Sequence, residues 1–184
     1  MIPTEERRRL LTLARSTIRH YVLEQTLPDD SPAQQPGEPR GAFVTLHRQG
    51  RLRGCIGRSE SREPVDSLVA TCAILAASSD PRFPPVRAEE IDQLEIEISL
   101  LTSPEEVSAA QILHRIEPGV HGVAITRGGS RGVLLPQVAA EYRWGAQRFL
   151  EETCTKAGLP KEAWRDPDAH IELFTAEVFS ETDS

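Results

Sequence analysis

The chain has 184 residues, 39% hydrophobic and 27% charged, enough to bury a core without disulfide or metal staples. Its formal net charge of −7 disfavours a nucleic-acid partner, whose phosphates call for a basic face. No apolar run approaches ~18 residues, and "MIPTEERRRLLTLARS" is charged where a signal peptide carries its apolar core; no membrane is expected and a cytoplasmic location is.

The first element is a helix: Glu5 and Glu6 sit in its first turn, where the helix dipole favours acids, and Leu10, Leu11, Ala14, Ile18 and Tyr21 form one apolar stripe. Residues 27–41, "LPDDSPAQQPGEPRG", read as an exposed proline-rich connector. "AFVTLH", "RQGR" and "LRGCIG" follow as strand, turn and strand. Pro64 then opens a helix in which Val65, Leu68, Val69, Cys72 and Ala76 fall at helical spacing, making Cys72 a core residue. In "SSDPRFPPVRAEE" the prolines stiffen a loop that displays Arg82 and Phe83. "LEIEISLLT" alternates, with Leu94, Ile96, Ile98 and Leu100 on one face and Glu95, Glu97 and Ser99 on the other. A second hairpin, a helix carrying Phe149, Leu150 and Cys154, and a last strand "HIELFTAEVF" complete the chain. Intermixed helices and hairpins predict α+β with a mostly antiparallel sheet and flanking helices.

The chemistry concentrates in "GRLRGCIG", residues 50–57. Cys55 has two readings, a reactive thiol or a small core residue. A nearby guanidinium favours the thiolate, and Arg53 is placed to provide it or to hold a substrate anion. Gly54 and Gly57 allow a ligand or another backbone to approach closely, or allow a bulge. His47 and His121 are the general-base candidates. A turn through Gln49-Gly50 pairs Leu52 with His47, Gly54 with Thr45 and Cys55 with Val44; without a bulge, Cys55 shares a face with Arg53, and His47 lies on the other. Glu95 and Glu97 become proton-handling candidates if their face borders a site. Cys55, Cys72 and Cys154, odd in number and widely spaced, suit neither a disulfide framework nor a zinc site, so no metal and no cofactor are expected.

"GAFVTLHRQGRLRGCIG", "SSDPRFPPV", "EIEISLLTSPEEV", "PGVHGVAIT", "GVLLPQVAAEYRWGAQRFLEETCTKAGLP" and "VFSE" together resemble the AMMECR family, whose prokaryotic members are called AmmeMemoRadiSam system protein A. The resemblance covers nearly the whole chain, and "LRGCIG" is the family hallmark. It implies a single AMMECR-type domain over 1–184, two interleaved lobes around a cleft, with no settled activity. Carried over by position, the motif residues are Arg53, Gly54, Cys55 and Gly57, then Asp80, Pro81, Arg82 and Phe83, then Pro136 and Gln137. It also implies a pathway shared with a Memo-type protein and a radical S-adenosylmethionine enzyme. Two functions follow. One is a cysteine-dependent enzyme acting on a small anionic or peptide substrate, with Cys55, Glu95, Glu97 and His121 catalytic and Arg53, Gly54, Gly57, Arg82, Phe83 and Gln137 binding. The other is a non-catalytic binding module using the same cleft.

Overall fold

The structure, a computed structural model, describes residues 2–24, 26 and 40–183. It divides into two compact units, Met1–Leu101 with Glu177–Ser184, and Thr102–Ala176. The fold is α+β, and its paired strands are antiparallel. The connector expected over 27–41 lies outside the described residues except for Arg40 and Gly41, which already belong to a strand.

In the first unit, helix α1 (Thr4–Glu24) buries Leu10, Leu11, Ala14, Thr17 and Ile18. Strands β1 (Arg40–Arg48) and β2 (Arg51–Ser61) form the expected hairpin. Gln49 and Gly50 both have positive φ, 54° and 69°, as a two-residue turn matched to strand twist requires. Helix α2 (Val65–Ser78) starts after Pro64 and buries Leu68, Val69, Cys72, Ala73 and Ala76. A 3₁₀ turn, Ala88–Gln93, leads into β3 (Leu94–Leu101). The sheet order is β2-β1-β3, with Val44 opposite Ile98, Thr45 opposite Glu97, Leu46 opposite Ile96 and His47 opposite Glu95. Val44, Leu46, Ile96 and Ile98 face α1 and α2 in one core, each worth roughly 1.5–3 kcal/mol when fully buried. Thr45, His47, Glu95 and Glu97 therefore turn away from the helices.

The hairpin register departs from the expectation after Leu52. Leu52 does oppose His47, but Gly54 opposes Leu46, Cys55 opposes Thr45, and Ile56 opposes Val44. Arg53 is the extra residue of a β-bulge. The packing of α2 explains the bulge, because a Cβ at position 54 would collide with the carbonyl oxygen of Ala76. The unbulged register would place Cys55 and Arg53 on this helix-packed face. The extra residue leaves only Gly54 against Ala76.

The second unit contains β4 (Glu105–Glu106), α3 (Ile112–Arg115), β5 (His121–Arg127), β6 (Ser130–Leu134), α4 (Pro136–Glu141) and α5 (Ala146–Lys156). The chain returns along β7 (His170–Ser180), whose first half pairs with β4 and β5. Gly128 and Gly129, φ 55° and 84°, turn β5 into β6. Phe149, Leu150, Cys154 and Trp164 of α5 and the 3₁₀ turn Lys161–Arg165 cover Val123, Ile125, Ile171 and Leu173. Helix α4 is separate from α5, an element the sequence pattern does not announce. No helix of the described residues is long and apolar enough to cross a membrane.

Candidate functional site

The sulfur of Cys55 is fixed by the bulge. Thr45 Oγ1, directly opposite, donates to Cys55 Sγ at 3.3 Å. His47 stands one step along β1 on the same face. Glu97 lies beyond Thr45 in the same cross-strand row, and Glu95 beyond His47. The structure thus brings a thiol, a hydroxyl, an imidazole and two carboxylates onto one sheet face. Cys55 is half-buried. This reverses the expectation that His47 and Cys55 point opposite ways, because one inserted residue flips every side chain beyond it. Directly opposite residues on strands have Cα atoms about 4.5–5.5 Å apart, and diagonal neighbours about 7–8 Å. The diagonal from Cys55 to His47 suits one bridging group. Glu95 Oε1 accepts from Thr182 Oγ1 at 3.0 Å.

The other thiols are spent on packing. Cys72 is fully buried beside the carbonyl of Ala42, and burial pushes its thiol up to about 11. Burial also raises the Cys154 thiol above its ordinary value.

The backbone of Cys55 is held by the "DPRF" loop. Its N–H donates to Asp80 Oδ2 at 2.8 Å, and its carbonyl accepts from Arg82 Nη2 at 3.3 Å. Asp80, nearly fully buried, also accepts from the Arg82 Nε at 3.0 Å, Nη2 at 2.7 Å and main-chain N–H at 3.0 Å. The Arg82 guanidinium, outweighing desolvation, holds the Asp80 carboxyl well below the usual range. The pair occupies the β2 edge as a neighbouring strand would, which also protects that edge. Phe83 packs near Arg82, whose guanidinium carbon is 5.5 Å from the ring centroid.

Arg53 reaches the opposite side of the sheet from Cys55. Its Nε and Nη2 donate to Glu90 at 3.0 and 2.8 Å, Nη1 to the Pro84 carbonyl at 2.9 Å, and Nη2 to the Pro85 carbonyl at 3.3 Å. Glu90 also accepts from Arg48 Nη1 at 2.7 Å and from the Arg87 N–H at 3.0 Å. The Arg53 hydrogen bonds, against desolvation, bring the Glu90 carboxyl down to about 2. Arg53 and Arg82 thus bracket one loop, but each is bound to a carboxylate of the protein. Gly54 lies against Ala76, and a Cβ at Gly57 would collide with the Phe43 ring; both glycines serve close packing.

His121 and Gln137 belong to the second unit. His121 Nδ1 accepts from the Glu117 N–H at 3.1 Å, and the ring borders a pocket of about 110 Å³ with Glu105, Arg115 and Thr175. Gln137 is exposed in the first turn of α4. Among the described residues no group of three or more His, Cys, Asp or Glu side chains is arranged to hold a metal ion. Sequence reasoning missed Thr45 and Glu90 and misplaced His47. Gly54, which allowed a bulge, was the available signal for the thiol face; nothing local announced Glu90.

Comparison with known proteins adds the family. The AMMECR1 family profile matches residues 11–179. A protein of Methanothermobacter thermautotrophicus is 44% identical, the alignment covering 96% of this chain and 95% of that protein. One from Thermococcus gammatolerans is 43% identical over 94% and 88% of the two chains. The crystal structure of the uncharacterized protein PH0010 from Pyrococcus horikoshii superposes with a TM-score of 0.82 at 41% identity, covering 94% of this chain and 89% of that one. The profile spans both units, and the likeness in sequence and fold runs through nearly the whole chain: this protein belongs to the AMMECR1 family.

Proposed function

We propose that the protein is a cytoplasmic cysteine-dependent enzyme in which Cys55 is the nucleophile or covalent carrier. The observation that carries this reading is the bonding of Thr45 Oγ1 to Cys55 Sγ on the face shared with His47, Glu95 and Glu97. Thr45 orients the sulfur. His47 accepts the thiol proton through a bridging water or substrate atom. The sulfur then forms a bond to an electrophilic substrate carbon, and the departing group leaves with the proton from His47. Glu95 orients the imidazole across the strand pair, and Glu97 contacts the substrate. Arg53 and Arg82 act as positioning residues, holding the strand and loop that present Cys55. A carrier of this kind fits a pathway with a Memo-type protein and a radical S-adenosylmethionine enzyme, which we propose as partners.

A second reading, a binding module with no turnover, is favoured by the commitment of Arg53, Arg82, Gly54 and Gly57 to structural contacts. Iodoacetamide alkylation of the native protein, read by peptide mass spectrometry, separates the two. A unit charge pair about 7 Å apart is worth roughly 0.6 kcal/mol in bulk water and roughly 2.4 kcal/mol at an effective dielectric near 20. Cys55 is expected to react while Cys72 and Cys154 do not, and His47→Gln is expected to slow Cys55 between about threefold and about fiftyfold at low salt. Inertness of Cys55 equal to that of the two buried thiols overturns the enzyme reading.

A further inference from the structure

We infer that a groove along one face of α1 binds a free amphiphilic organic anion, a molecule with an apolar body and a carboxylate, phosphate or sulfonate head. The groove has a volume of about 530 Å³ and is lined by α1 together with Glu181. Sites for small molecules run from about 300 to 1,000 Å³. It opens on the solvent side of the helix, whereas Cys55 pairs with Thr45 on the sheet face turned away from the helices. The inference therefore does not depend on the chemistry of the thiol.

The lining positions 8, 11, 12, 15, 16 and 19 fall at the spacing of one helix face. Arg15 is a fixed wall. Its guanidinium donates to the two Glu181 carboxylate oxygens at 2.6 and 2.5 Å, to the Ile91 carbonyl at 2.9 Å and to the Leu94 carbonyl at 2.6 Å. Its charge is thus balanced within the protein. Thr12 and Ser16 spend their hydroxyl protons on the helix backbone, donating to the Arg8 carbonyl at 2.9 Å and the Leu13 carbonyl at 3.0 Å. The middle of the groove therefore offers mainly carbon: the nearly buried Leu11, the Thr12 methyl and the stems of the arginines.

The two ends carry the charge. Arg19 holds Asp92 at 3.0 Å in an exposed pair of little strength. The Arg8 guanidinium is exposed and makes no hydrogen bond or ion pair among the described residues. On a chain of net charge −7, an unpaired guanidinium at the end of an apolar groove selects an anionic head over a cationic one, and its fork suits carboxylate or phosphate oxygens. Eleven helical steps separate Arg8 from Arg19, about 16.5 Å along the axis. A head on Arg8 thus leaves room for an acyl or aryl body over Leu11, Thr12 and the Arg15 stem.

Titration of the native protein with anilinonaphthalene sulfonate, an anion of this kind that fluoresces when its rings leave water, tests the inference. Saturable one-to-one binding with a Kd of about 10–100 µM is expected, with decanoate displacing the dye and decyltrimethylammonium leaving it bound. Arg8→Gln should weaken the dye about fivefold, the effect of one contact charge pair in a water-like dielectric. Thr12→Trp, which fills the groove without changing charge, should abolish binding. Arg62→Gln, at an exposed arginine elsewhere in the same unit, should change nothing. Co-sedimentation with phosphatidylglycerol vesicles separates a lipid surface from a free molecule: pelleting that needs Arg8, with no displacement of the dye by decanoate, overturns the free ligand. Absence of saturable binding, an affinity within about twofold of wild type in both Arg8→Gln and Thr12→Trp, or an equal loss in Arg62→Gln overturns the site.

Discussion

Replacing Glu90 with Gln is expected to destabilise the protein strongly and to alter its acid response. The side chain is nearly buried and accepts hydrogen bonds from Arg53, Arg48 and the Arg87 main chain. A carboxyl that titrates at 4.5 when unfolded and at about 2 when folded contributes roughly 3 kcal/mol at neutral pH, taking ~1.4 kcal/mol per pH unit. Because the folded value is depressed, that contribution is full above pH 4.5 and is lost as the pH falls toward 2. Glu90→Gln keeps the shape but leaves the Arg53 guanidinium, 12% exposed, without its counter-charge. The predicted loss is about 3 kcal/mol at pH 7, or a fall in Tm of roughly 6–12 °C for a chain of this size. Urea unfolding of both proteins at pH 7 and pH 3 measures it, and the gap narrows to roughly 1 kcal/mol at pH 3. Arg53→Gln should lose a similar amount, and the double variant less than the sum, since the two groups act as one unit. A Glu90→Gln variant within about 0.5 kcal/mol of wild type at pH 7, or a gap that widens on acidification, refutes the assignment of Arg53 to the fold.

Asp80→Asn keeps an acceptor for the Cys55 N–H but weakens the hold on Arg82, so a loss of about 1–3 kcal/mol and faster amide exchange at Cys55 are expected by urea unfolding and hydrogen exchange. The contribution of Asp80 has the same sign, present above its unfolded value of 3.8 and lost below it, so wild type and Asp80→Asn converge in acid. Gly54→Ala forces a methyl group into the Ala76 carbonyl; α2 must shift, with a loss of about 1–3 kcal/mol or more, and wild-type stability in that variant contradicts the observed packing.

Much of the fold was legible because amphipathic patterns are local. The stripe of α1, the alternation in β3 and the two glycine-bearing turns each carry their own period. The bulge was not, because two positions that would have reported the face of β2, Gly54 and Gly57, have no side chain. With no alternation to read, Arg53 looked like one more strand residue, and its extra step turned Cys55 toward His47. The meeting of "LRGCIG" with "DPRF" was legible only through the family resemblance. That Asp80 and Arg82 bind the main chain of Cys55, and that Glu90 satisfies Arg53, depends on how α2 and the following loop fold back on β2, which no single stretch encodes.

The placement of Cys55 opposite Thr45 underlies the whole account, and oxidative cross-linking measures it. Cys55 gives its N–H to Asp80 and its carbonyl to Arg82, so it forms a non-hydrogen-bonded pair with Thr45, with Cα atoms about 4.5 Å apart. That spacing lies within the reach of a disulfide, about 4.4–6.8 Å. Mild oxidation of Thr45→Cys should link positions 45 and 55 quantitatively, seen by peptide mass spectrometry, whereas Val44→Cys, buried and opposite Ile56, should give no link to Cys55. A link in Val44→Cys with none in Thr45→Cys would restore the unbulged register and remove His47 from the face of the thiol.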